Sequence, residues 1–163
     1  MKHVLTYSGH MLLFVWLLSA CGNINSPKDD LIHNPFPEEQ VEIRKVIDSI
    51  VKDAETANIA GLQAIHLNSE KFTKFGPRHF HRQDVKGTNQ SEAAHFGSIS
   101  NFKQQIRGLK IDVFGDIAIA TYYPQVSFIK DGTKVKAEGR QTLVFLKTEV
   151  GWKIVHEHGT IKQ

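Results

Sequence analysis

The sequence predicts an α+β domain in which helices gather ahead of an antiparallel sheet and pack on one of its faces. Two patterns carry this expectation. Apolar residues recur at helical spacing between Pro37 and Ile65, and nearly everything after Gly97 falls into long β-rich stretches separated by turn residues. At 163 residues the chain holds one domain of ordinary size once its first segment is set aside.

That first segment, residues 1–20, has the layout of a targeting signal: Lys2 supplies a positive start, residues 11–18 form a short apolar run, and Leu18-Ser19-Ala20-Cys21 follows. The run is too short to span a bilayer. Leu18-Ser19-Ala20-Cys21 resembles the lipobox of bacterial lipoproteins, which implies cleavage before Cys21, diacylation of its sulfur and acylation of the new amino terminus. Several acyl chains on one residue are enough for stable anchoring without a membrane-spanning helix. Cys21 is the sole cysteine, so no disulfide forms within the chain. The resemblance further implies a bacterial cell envelope, and Gly22 in place of an aspartate leans towards an outer membrane, with the domain facing the periplasm. Residues 21–36, with Pro27 and Pro35 among Asn, Ser, Lys and Asp, read as a flexible tether ahead of a domain spanning 37–163.

Pro37 suits a first helical position, and Glu38, Glu39 and Glu42 suit the positive end of the helix dipole. Ile43, Val46, Ile47, Ile50, Val51 and Ala54 then make one apolar stripe to about Ala57. Asn58 caps a shorter helix through Leu62 and Ile65. Residues 67–75 alternate as a strand would and end at Gly76-Pro77. Residues 78–87, which include His79, His81, Arg82 and Asp84, have no clean period and read as a loop. Asn89 to Glu92 matches a capping box and opens a short helix through Phe96. Strands are expected over residues 106–114, 116–130, 133–147 and 151–160. Asp131-Gly132 is a strong hairpin signal between two of them.

In the last strand, alternation places Trp152, Ile154, His156 and His158 on one face and Lys153, Val155 and Glu157 on the other. An aromatic start and two imidazoles describe either the inner wall of a pocket, dry at one end and polar at the other, or histidines hydrogen-bonded at the rim of a core.

The element order, Gly139-Arg140-Gln141-Thr142, the Val144-Phe145-Leu146-Lys147 strand and the Gly151-Trp152…His156-x-His158-x-Thr160 ending resemble the SnoaL-like branch of the nuclear transport factor 2-like superfamily over residues 38–160. The ending is also similar to that of the association domain of calcium/calmodulin-dependent kinase II. The resemblance implies a cystatin-like roll: a curved antiparallel sheet wrapped by helices into a cone with a pocket inside. Its members include isomerases, dehydratases, polyketide cyclases, epoxide hydrolases and non-enzymatic binding domains, so the fold does not decide function.

The resemblance favours Arg140 and Thr142 facing the pocket, where they would join Tyr122, His156 and His158 as ligand-binding residues for a small anionic or polar organic molecule. No cofactor is implied and no reaction is assigned. The runner-up is an isomerase-, dehydratase- or hydrolase-type enzyme with His156 or His158 as general base and Arg140 as anion stabiliser. Asp84 is the nearest loop carboxylate for such chemistry, and Tyr122 or Tyr123 a donor. A third reading is a structural dimerisation module. His79-x-His81 and His156-x-His158 could offer imidazoles to a metal, but no cysteine or Glu-x-x-His element reinforces them, and no metal site is assigned. Without residues 1–20 the balance is nineteen basic against seventeen acidic side chains, interspersed along the chain, which argues against a nucleic-acid partner. Apolar residues on both sides of a strand, Ile117 and Ile119 against Ala118 and Ala120, point to a homodimer through a second buried sheet face.

Replacing Cys21 by alanine is expected to leave the chain uncleaved or soluble and to abolish metabolic labelling with palmitate. Unchanged labelling would rule the anchor out.

Overall fold

The computed structural model describes residues 30–162. The expected signal segment, Cys21 and the first part of the tether lie outside the described residues. Helix α1 spans Pro37–Glu55, α2 Ile59–Ile65 and α3 Val85–Gly97. The strands are β1 Thr73–Phe75, β2 Ser100–Phe114, β3 Ile117–Lys130, β4 Thr133–Thr148 and β5 Gly151–Ile161. They form one curved five-stranded sheet in the order β1-β5-β4-β3-β2, antiparallel throughout except that β1 runs parallel to β5.

Local chemistry explains the elements. Pro37 starts α1, Glu38 and Glu39 occupy its first turn and Lys52 its last, each on the favourable end of the dipole. Asn58 accepts the Gly61 amide at 3.2 Å and so caps α2. At the β3–β4 turn Asp131 and Gly132 both take positive φ, 50° and 74°, as a two-residue hairpin whose twist matches its strands requires.

The apolar stripe of α1 buries Ile43 and Ile47 against the sheet's inner face, where Ala118, Ala120, Leu143, Phe145, Trp152 and Ile154 meet Phe72. Each such Ile, Leu or Phe contributes about 1.5–3 kcal/mol by leaving water. A second cluster of Ala54, Leu62, Phe102 and Phe128 sits further along the sheet, and Phe96 packs edge-on to Phe102 with ring centroids 5.3 Å apart. The two clusters line different depths of one cone.

Three boundaries differ from the sequence expectation by more than two residues. The strand expected over residues 67–75 is shortened to Thr73–Phe75, because Ser69 forms a turn: its hydroxyl accepts the Lys71 amide and its carbonyl accepts the Phe72 amide. Helix α3 begins four residues before Asn89, capped by Asp84, whose carboxylate accepts the Gly87 amide at 2.7 Å. Asp84 is therefore a helix cap rather than a pocket carboxylate. Strand β2 begins at Ser100 rather than Ile106. Its register shifts after Ser100 and again after Arg107, with positive φ at Asn101 and Gly108, and these irregularities hide the alternation in the sequence.

The largest correction concerns which residues face inwards. Phe145 pairs with Ile154 and Val144 with His156, so Val155 is an extra residue in β5. Such a bulge reverses the alternation beyond it. Trp152 and Ile154 point into the cone as expected, but past Val155 the inward positions are Glu157 and Gly159, both buried, while His158 is exposed. His156 and His158 stand on the outer face: Thr73 Oγ1 lies 2.8 Å from His156 Nδ1, and Phe75 packs edge-on to both imidazoles. Strand β4 shows the same outcome. Leu143 and Phe145 are 2% and 0% exposed, so Gln141 shares their inward face, and Arg140 and Thr142, paired with Thr160 and His158, face outwards.

Candidate functional site

Three segments bring the polar side chains of the cone together. Helix α2 ends at His66, whose extended backbone forms a parallel bridge to Ile154 next to the bulge, with the Leu67 amide bonded to the Ile154 carbonyl at 2.8 Å. Strand β1 sets Lys74 level with Glu157 in parallel register. The third segment is α3, which carries Asn89 and Glu92 across the opening between them.

The result is a buried network centred on the Glu157 carboxylate, which is 6% exposed. His66 Nε2 lies 2.9 Å from Glu157 Oε1, and Lys74 Nζ lies 2.8 Å from Oε2. Lys74 also reaches Glu92 Oε1 at 2.5 Å. His66 Nδ1 meets Asn89 Oδ1 at 2.9 Å, so both ring nitrogens face oxygen acceptors and the imidazolium form satisfies both. Burial opposes ionisation of Glu157, but the Lys74 ammonium, with the His66 hydrogen bond and charge, outweighs it and holds the carboxyl well below the usual range. Burial likewise pulls His66 down, and the Glu157 hydrogen bond and charge, helped by Glu92, more than reverse it. Lys74 is raised in the same way by Glu157 and Glu92. Two cations and two carboxylates leave this floor with no net charge.

Above the floor lies a cavity of about 580 Å³. Its walls are apolar, built from Ile50, Leu62, Phe96, Phe102, Phe128 and Leu143. The inward phenol of Tyr122 joins them; burial and then the Glu157 charge push its ionisation up, so it stays protonated and able to donate. Gln83 Oε1, on the same lining, is buried and has no hydrogen-bond partner among the described residues. At the mouth, Arg78 Nη1 donates to His95 Nδ1 at 2.9 Å. Burial, Arg78 and Lys130 together depress His95, which keeps its ring nitrogen available as that acceptor.

Of the residues singled out from the sequence, Tyr122 lines this cavity. Arg140 borders a separate outer depression with Arg107, Tyr123 and Thr160, and Thr142, His156 and His158 share that outer face. His79 lies at the mouth. The residues that sequence reasoning missed, His66, Lys74, Glu92 and Glu157, come from four elements and share no spacing. His66, Glu92 and Glu157 could each present one ligand atom within 4.8 Å of the others. The Lys74 ammonium already occupies the cationic place between the two carboxylates, so the donor set does not fit a resident metal.

The SnoaL-like domain family matches residues 43–161. Among solved structures, a candidate dehydratase of the NTF2-like family from Streptomyces avermitilis superposes with a TM-score of 0.71 at 15% identity, covering 79% of this chain and 99% of that one. A nuclear transport factor 2-like superfamily protein from Salmonella enterica gives 0.70 at 19%, covering 76% and 91%. A candidate aromatic ring hydroxylase from Novosphingobium aromaticivorans gives 0.68 at 18%, covering 77% and 90%. At these identities the likeness is one of fold. No curated protein matches the chain.

The network makes a signed prediction about pH. His66 titrates above its ordinary 6.5, so its pairing contributes fully below that value and is lost as pH rises through the raised one. Glu157 titrates below its ordinary 4.5, so its contribution is present above that value and lost as pH falls through the lowered one. The stability difference between the native chain and His66→Gln, measured by urea unfolding, should therefore be greatest between 4.5 and 6.5. It should reach about 3 kcal/mol there, and shrink towards alkaline pH. A difference constant into the alkaline range would contradict the ionised pair.

Proposed function

This chain belongs to the SnoaL-like domain family, and we propose that its cone binds a small organic molecule with a largely apolar body, with no reaction assigned. The observation that carries this reading is the cavity of about 580 Å³ with apolar walls, closed at its floor by a charge network that satisfies itself. That volume is in the range of small-molecule sites, and a few convergent polar groups among apolar walls are what such sites use to orient a ligand. Tyr122 and the unpartnered Gln83 Oε1 supply a donor and an acceptor for neutral hydroxyl or carbonyl groups.

A second reading is proton-transfer catalysis of the dehydratase or isomerase type. It is favoured by Glu92, a cavity carboxylate engaged by Lys74 through one oxygen, on the same lining as the Tyr122 phenol. The name of one similar structure, a candidate dehydratase, is compatible with it. His66 is the histidine at the cavity floor, but both its nitrogens are engaged, so it would position Glu157 rather than accept a substrate proton.

We further propose that the domain is held at a bacterial envelope membrane through lipidated Cys21, facing the periplasm, and that it pairs as a homodimer through the outer sheet face. That face carries Ile117, Tyr123 and Phe75, all exposed in the single chain. Sedimentation of the chain as a monomer at micromolar concentration would overturn the dimer.

Ala137 faces the cavity from β4. Ala137→Phe should fill the outer half of the cone and lower the affinity for a neutral apolar probe, phenylbutanol, by about tenfold or more while leaving the thermal melt close to that of the native chain. Undiminished binding in this variant would place the ligand elsewhere.

A further inference from the structure

We propose that the ligand is an amphipathic acid, and that its carboxylate or similar anionic group lies at the mouth of the cone on Arg78, with the apolar body pointing inwards. The inference rests on the cavity reading above and adds ligand class and orientation to it.

The distribution of charge leads there. At the floor, Glu157 is taken by His66 and Lys74, and Lys74 is shared with Glu92. A ligand anion placed against that floor would meet two carboxylates whose cations are already engaged, and it would break a buried pair to gain a new one. The outer-face arginine, Arg140, borders a neighbouring depression and is not among the residues that line the cavity. Arg78 differs from both. It lies on the cavity lining, and the one side-chain contact of its guanidinium among the described residues is the bond from Nη1 to His95 Nδ1, which is neutral when it accepts. The guanidinium thus keeps its full charge and further N–H groups for a planar anion, which it can bind with two parallel hydrogen bonds.

The surroundings of the mouth reinforce this. His95 anchors Arg78 to α3 and limits the side-chain freedom that binding would otherwise remove. Lys130, at the end of β3, adds positive potential near His95. The carboxylate on the lining closest to the outer edge, Glu138, is turned to Gln125 at 2.6 Å and to Lys162 at 3.7 Å. Below the mouth the walls become apolar at Phe96, Phe102 and Phe128, a sequence of environments that matches an acid headgroup followed by a hydrocarbon or aromatic body.

Calorimetric titration of the full chain in nanodiscs, with empty nanodiscs as the blank, tests the proposal with two probes that differ in the headgroup: phenylbutyrate and phenylbutanol. Arg78→Gln should weaken phenylbutyrate about tenfold and leave phenylbutanol within about twofold of the native chain. Arg78→Lys should restore part of the loss, since it keeps the charge without the planar fork. An unchanged phenylbutyrate affinity in Arg78→Gln, or an equal loss for both probes, would overturn the orientation while leaving the cavity reading intact. Failure of the native chain to bind either probe would overturn the cavity reading and this inference with it.

Discussion

The Glu157 carboxylate, buried between the Lys74 ammonium and the His66 imidazole, is the interaction on which the arrangement of the cone depends. An isolated carboxylate at that depth would be too costly to ionise, so its two partners must arrive together. They come from separate elements, the end of α2 and strand β1, and Glu92 and Asn89 on α3 complete the set. The network therefore ties the helical layer to the sheet at one point. It also sets the direction of β5, since only the extra residue Val155 turns Glu157 inwards.

With the floor neutralised by its own groups, the cone divides by depth. The wall is a second apolar cluster that leaves space rather than filling it, and the mouth holds a cation, Arg78, whose partner is an imidazole instead of an acid. Phe96, Phe102 and Phe128 pack on one another along this wall, and the cavity lies beside them. Helices α1, α2 and α3 each contribute to the cavity lining, through Ile50, Leu62 and Phe96. Stability comes from the inner cluster around Phe72, Phe145 and Ile154, and ligand contact is available at the outer one. The division lets the two roles be carried by different residues.

Much of the fold was legible in the sequence because its signals are local. The stripe from Ile43 to Ala54, the Asn58 cap and Asp131-Gly132 each act within a turn or two of chain, and the α+β order followed from them. The SnoaL-like resemblance rested on the ending that includes Trp152 and Thr160, which holds in the structure as β5. The site was far less legible. Simple alternation is a period-two argument, and a single bulge residue inverts it; nothing in Lys153-Ile154-Val155-His156 marks Val155 as the extra one. For β4 alternation decides nothing, because both parities contain apolar residues; the inward placing of Arg140 and Thr142 came from the family resemblance, and burial of Leu143 and Phe145 reverses it. His66 falls just after the expected second helix and Lys74 within the expected 67–75 strand, and neither position alone marks a site residue. Their meaning exists only in three dimensions, across a sequence separation of 91 from His66 to Glu157.

The claim that the bulge exchanges the two faces of β5 is tested most directly by carbethoxylation of the folded full chain with diethyl pyrocarbonate, at a dilution where no partner covers the outer face, followed by peptide mass spectrometry. Histidine modification requires an accessible, unengaged ring nitrogen. His66 is 5% exposed with both nitrogens bonded, whereas His158 lies on the open outer face. The account predicts rapid modification at His158 and protection of His66 until the chain is unfolded. Protection of His158 together with rapid modification of His66 would contradict it.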